Sequence, residues 1–159
     1  MEEYVNKEEL IKHGFQRGKD RVWRKLSVLE QLAQNGWLEY GSRKFTALDR
    51  LSAGKRFLCD FQASGIQAFC ANDTERIKVD GKGSSNVPEY RLMAQERFAR
   101  ALRAINTDFF PIVHKVVLED KMFAVRGSTR GKIKEQAHLC TFLCLGLDEL
   151  IYHYLKKTY

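Results

Sequence analysis

The chain has 159 residues, with 27 Lys and Arg against 20 Asp and Glu for a formal charge of +7, and only four Cys and two Pro. That length suits one domain, 1–159, able to bury roughly 68–70% of the surface its unfolded chain exposes, and 44% apolar residues exclude disorder as its default state. Sparse Cys and Pro exclude a disulfide framework and a collagen-like repeat, while the charge permits an anionic partner without requiring one.

The first ten residues, Met1 to Leu10, are acidic at Glu2, Glu3, Glu8 and Glu9 and lack an apolar run, which is not the pattern of a signal peptide. Next comes a basic stretch from Lys12 to Lys25, with six cations and one acid, Asp20. Trp23, Leu26, Leu29 and Leu32 then recur at every third position, predicting a helix. Ser27 and Glu30 have capping-box spacing if that helix starts late, and Asn35-Gly36 is its stop signal. Trp37 to Phe45 reads as a small hairpin or wing.

Thr46-x-x-Asp49 starts the next helix, in which Ala47, Leu51, Gly54, Leu58 and Phe61 step by three and four up to Ser64-Gly65. From Asn72 to Pro88 the composition shifts to few apolar residues around Gly81-Lys82-Gly83-Ser84-Ser85, an exposed loop. Its glycines lack the spacing of a Walker phosphate loop, because the Lys is followed by Gly and no buried strand precedes it. Arg76 to Val79 is a weak strand signal.

Pro88-Glu89 opens a third long helix. Tyr90, Ala94, Phe98, Ala101 and Ile105 lie on one side of it, and Arg91, Gln95, Arg100 and Arg103 on the other. Asp108 has the position of a cap for a fourth helix with Pro111 in its first turn, burying Phe109, Ile112, Val113, Val116 and Val117. The last helix spans about Lys132 to Lys156 and is apolar on most sides, as a central packed helix is. Its most apolar run, Ala137 to Leu147, is eleven residues, short of the roughly 20 a membrane span needs. The expectation is a mainly α, compact multi-helix domain with at most a small hairpin, cytoplasmic, with no membrane contact.

Catalytic and metal signatures are missing. The histidines are His13, His114, His138 and His153, with no H-E-x-x-H among them and no G-x-S-x-G elbow. The pairs Glu119-Asp120 and Asp148-Glu149 each fit a helix surface or end. Cys140 and Cys144 share a helix face near His138, but their neighbours are core-like and no C-x-x-C occurs. Neither an enzyme nor a cofactor nor a metal site is expected.

The charge is concentrated in blocks. Besides Lys12–Lys25, the run Arg126-Gly-Ser-Thr-Arg-Gly-Lys-Ile-Lys134 holds four cations, two hydroxyls and no acid, and it lies between two apolar helices. A helix-turn-helix needs that order: a packed helix, a turn, and a second helix presenting long donors at its N-terminal end to a major groove. The candidate contacts to double-stranded DNA are Arg126, Ser128, Thr129, Arg130, Lys132, Lys134 and, one turn on, His138. Arg and Lys suit phosphates and guanine edges, and hydroxyls suit phosphates.

The segment Leu51-Ser-Ala-Gly-Lys-Arg-Phe-Leu-Cys-Asp-Phe-Gln-Ala-Ser-Gly65 resembles the A-G-x-R-F-x-x-D-[FY] helix of a group of bacterial and prophage regulators. That group includes the DNA-binding half of gene-transfer-agent activators. Val28 to Leu38 is similar to its v-L-x-x-L-x-x-x-G-x-L lead-in, and Leu145 to Tyr154 to its closing a-L-d-x-L-a-x-H-Y helix. Ala101 to Ile105, continuing through Val117 to Asp120, resembles the helical entry into a sigma-factor region-4-type helix-turn-helix. The resemblance implies a helical DNA-binding transcriptional regulator without enzymatic activity or cofactor. At its shared positions, Ala53, Gly54, Arg56, Phe57, Asp60 and Leu147 to Tyr154, it implies structural roles. The chain departs from the pattern where related proteins carry a fuller basic or Trp-containing segment before the last helix.

The leading expectation is therefore a small regulator of phage or mobile-element type that binds double-stranded DNA. The alternative is a protein–protein adaptor, an RNA polymerase-binding or packaging-complex subunit using the Tyr90–Arg103 face. Two-fold operators call for a homodimer, for which no heptad seam is visible.

Overall fold

The computed structural model describes residues 7–19, 22–66, 88–123 and 129–156, with Thr129 by its backbone alone. The strand expected at Arg76–Val79 and all of the Asn72–Pro88 loop before Pro88 lie outside the described residues.

Helix α1 (Lys7–Lys12) turns at Gly14, φ +78°, into an antiparallel ribbon of β1 (Phe15–Arg17) and β2 (Trp23–Lys25). Trp23 is thus in a strand, where helix was expected. The helix that follows, α2 (Val28–Gln34), starts late because Ser27 caps it: its Oγ accepts from the Glu30 amide at 3.2 Å, and Glu30 Oε2 accepts from the Ser27 amide at 2.9 Å. Asn35 and Gly36, φ +75°, end it as their types predict.

The hairpin expected over Trp37 to Phe45 is instead a 3-10 turn, Trp37–Glu39, and an irregular crossing. Its backbone groups bond to side chains and not to a partner strand: the Leu38 and Ser42 carbonyls accept from Arg50, and the Ser42 amide donates to Asp148. Helix α3 (Ala47–Ser64) has the expected capping box from Thr46 and Asp49 and ends on Gly65 at φ +68°. Its buried side is rotated from the expected one. Arg50, Ala53, Gly54, Phe57, Asp60 and Ser64 face inward, and Ala47, Leu51, Leu58 and Phe61 flank them half-buried. Gly54 lets α2 approach closely, since a Cβ there would stand 2.4 Å from Leu29 Cδ2.

Helix α4 (Glu89–Ala104) packs on α3 through Ala94, Phe98 and Ala101, with the Phe98 ring 5.1 Å from Phe57 and 5.2 Å from Phe61. Tyr90, expected on the packed side, is 65% exposed, because Arg91, expected on the other side, is the residue of the first turn that faces α3, half-buried beside Gly65. Helix α5 runs from Phe110 to Val113 and continues as a π-helical turn, His114–Leu118. Pro111 is in its first turn, but Asp108 does not cap it. Asn106 organises the entry: its Oδ1 accepts from the Asp108 amide at 3.0 Å, and its carbonyl accepts from the Phe109 and Phe110 amides at 3.0 Å each. Ile112, Val113, Val116 and Val117 are buried as expected.

Helix α6 (Thr129–Leu155, 27 residues) is the central element, about 40 Å long. It touches α3, α4, α5 and the 3-10 turn, and buries Cys140, Leu143, Cys144, Leu147, Leu150, Ile151 and Tyr154. The fold is mainly α with one small hairpin, and no helix among the described residues is long and apolar enough to cross a membrane.

Candidate nucleic-acid interface

Helix α6 outruns its core. From Cys140 onward its inner side is buried, but Arg130, Gly131, Lys132, Ile133, Lys134 and Glu135 are all exposed. Ile133 is decisive: it lies three and seven residues from Gln136 and Cys140, on the side that packs further along, yet it is 60% exposed. The first two turns therefore project from the body of the protein.

Of the expected contact residues, Arg126 and Ser128 lie outside the described residues, and Thr129 begins the helix. Arg130, Lys132, Lys134 and His138 are exposed, but they do not form one patch. Arg130, Lys134 and His138 are spaced i, i+4, i+8 and make a stripe on one face. Lys132, two residues from Arg130 and hence roughly 200° around the helix, points to the other side. Arg130, Lys132 and Lys134 have no ion-pair partner among the described residues. The His138 ring leans on Phe142 at 4.4 Å between centroids, and Phe142 is held by Phe109 of α5 at 5.3 Å, which fixes the inner end of the stripe.

Two other properties add to the anion affinity of this end. The first amides of a helix lack intrahelical acceptors, and the peptide dipoles place partial positive charge there. A projecting helix about 10–12 Å across with cations at its tip matches the width of a major groove. The i, i+4 stripe was readable in the sequence once the helix was started at Thr129 instead of Lys132.

The two cysteines on α6 belong to the core. Both are buried; desolvation, reinforced by the Cys144 sulfur nearby, pushes the Cys140 thiol up to about 11, and desolvation also raises Cys144. The Cys144 thiol donates to the Trp37 carbonyl at 3.5 Å. No group of three or more His, Cys, Asp or Glu gathers into a metal-binding cluster among the described residues. Asp148, expected at a helix surface, is 4% exposed and paired with Arg50. The partner that draws it inward is 98 positions away, beyond the reach of a local pattern.

The positions named by the resemblance make internal contacts. Ala53, Gly54, Phe57 and Asp60 are buried; the Tyr154 hydroxyl donates to Asp60 Oδ2 at 3.1 Å, and the Arg56 guanidinium lies 4.4 Å over the Tyr154 ring. The chain matches no protein-family model, no curated protein and no solved structure.

Proposed function

We propose that this chain is a small DNA-binding transcriptional regulator of phage or mobile-element type, acting by binding and not by catalysis. The observation that carries the reading is the projecting basic end of α6, with Arg130, Lys134 and His138 on one face and Lys132 on the other. Short α5 followed in the chain by α6 has the order of a helix-turn-helix, in which the second helix enters the groove by its N-terminal residues. The regulator role itself rests on the resemblance of Leu51–Gly65 and Leu145–Tyr154.

The test is binding to random duplex at 50 and 200 mM salt. A loss of two or more decades in affinity between the two is the expected result for a surface neutralising several phosphates. Arg130→Ala with Lys132→Ala is expected to weaken binding by about 1–3 kcal/mol; unchanged binding in a gel shift would remove the assignment.

A second reading has its own support. The start of α4 exposes Tyr90 and Met93, three residues apart on one side, at 65% and 56%, an apolar pair suited to a protein partner such as RNA polymerase or a packaging complex. Binding to duplex that is absent or insensitive to salt favours that adaptor.

A further inference from the structure

The described residues of the Lys12–Lys25 block form the end of α1 and the β1–β2 ribbon. In an antiparallel ribbon directly opposite residues share a face, so the register puts Phe15, Arg17, Trp23 and Lys25 on one side and Gln16 and Arg24 on the other. Gln16 turns to α2, where its Oε1 accepts from Gln34 Nε2 at 3.0 Å. Phe15, Gln16, Arg17 and Trp23, with Lys12 from α1, line an open cleft of about 520 Å³ whose other wall is Gln31, Gln34 and Asn35 at α2. Lys12, Arg17, Lys19 and Lys25 are exposed and have no ion-pair partner among the described residues.

The ribbon is held in place. The Leu26 amide donates to the Gly14 carbonyl at 2.8 Å, and Gln31 Nε2 donates to the Leu26 carbonyl at 3.0 Å. Helix α2, on which it rests, is tied to the end of α5: the Val28 amide donates to Asp120 Oδ1 at 2.7 Å. Asp120 stands at φ +52°, a conformation costly for a non-glycine residue, which this bond helps to fix. Nine residues lead from Asp120 to Thr129, a reach of at most about 32 Å. That is less than one turn of B-DNA, roughly 34–36 Å.

We propose that the ribbon is a second DNA contact, seating the sugar–phosphate backbone of the duplex whose groove receives α6. The inference rests on the DNA-binding reading and extends it to a surface separate from α6. Lys12, Arg17 and Lys25 neutralise phosphates, a contact that positions the protein without reading sequence. Trp23 offers an indole face to the sugars beside a cationic edge.

The full chain is titrated with a random duplex across 50–200 mM salt as wild type, as Lys12→Gln/Arg17→Gln/Lys25→Gln, and as Arg130→Ala/Lys132→Ala. The ribbon variant is expected to bind about tenfold or more weakly at the low-salt end, with a log–log salt slope shallower by about two to three, near 0.9 for each lost phosphate. Arg17→Lys, which keeps the charge, restores about one unit of slope when placed in the triple variant, which a merely distorted ribbon does not do. A ribbon variant with wild-type affinity and slope beside a weakened α6 variant overturns the ribbon contact and leaves the DNA reading standing. A weakened ribbon variant beside an unaffected α6 variant keeps the ribbon as a DNA contact but removes α6 from the interface and overturns their sharing of one duplex, and a wild type that binds no duplex overturns both.

Discussion

Arg50 of α3 and Asp148 of α6 meet as a two-pronged pair inside the protein, with Nε 2.6 Å from Oδ1 and Nη2 3.1 Å from Oδ2. Their side chains are 1% and 6% exposed. The remaining guanidinium donors reach the Leu38 and Ser42 carbonyls at 2.7 and 2.6 Å, and the Ser42 amide returns a bond to Asp148 Oδ2 at 2.9 Å. The pair thus does for the 38–42 crossing what a strand partner does in a sheet: it satisfies backbone groups that would otherwise be buried and unmatched. Gly41 permits it, since a Cβ there would stand 2.5 Å from Arg50 Nη2.

Removing one partner leaves a buried charge alone, and this sets the first prediction. Asp148→Ala is expected to lower the unfolding free energy by about 3–5 kcal/mol in urea titration. Arg50→Met with Asp148→Leu removes both charges and is expected to cost less than Asp148→Ala, although the Leu38 and Ser42 carbonyls then lose their donors. A loss below about 1 kcal/mol for Asp148→Ala would show that the crossing is held by its apolar packing instead.

The buried thiols predict an alkaline weakness. Burial lifts Cys140 to about 11, so the folded protein keeps that proton after the unfolded chain, with its ordinary thiol near 8.5, has released it. A raised folded-state pKa means that the stabilisation is complete below the unfolded value and is lost as pH climbs toward the folded one. Stability is therefore expected to fall between about pH 8.5 and 11, with a limiting slope for one thiol of about 1.4 kcal/mol per pH unit. Cys140→Ala flattens part of that slope in urea titrations at pH 8 and 10.5. In native buffer at pH 8, exposed Cys59 reacts with a thiol reagent, while Cys140 and Cys144 wait for unfolding.

What the sequence made legible follows the range of the bonds involved. Ser27 with Glu30, Thr46 with Asp49, and the stops at Gly36 and Gly65 are decided within a few residues, and each stands where its type predicts. The π-helical end of α5 and the ribbon at Phe15–Lys25 depend on partners elsewhere. The Val28–Asp120 bond spans 92 positions and the Arg50–Asp148 bond 98. A charged residue such as Arg50 at the centre of a buried helix side is invisible to periodicity, which sends charges outward, and its inclusion explains why the buried side of α3 is rotated from the apolar stripe. For the candidate interface, the density of cations in Arg126–Lys134 was plain. Its division into two faces needed the start of α6 and the direction of its core.

That division yields the last prediction. If α6 enters a groove, the Arg130–Lys134–His138 stripe faces away from the core-contact side, and Lys132 meets the flank. Arg130 and Lys134 are then the candidates for base edges, where a good paired contact is worth about 1–3 kcal/mol of discrimination, and Lys132 for phosphate. On a duplex selected for tight binding, Arg130→Ala or Lys134→Ala is expected to narrow the gap between selected and scrambled sequences. Lys132→Ala is expected to weaken both by a similar factor and to make the salt slope shallower by about one. Anisotropy titrations of the three variants on both duplexes separate the roles. Equal losses of affinity without loss of discrimination in all three would mean that the tip of α6 contacts backbone alone, and that any sequence reading lies elsewhere on the chain.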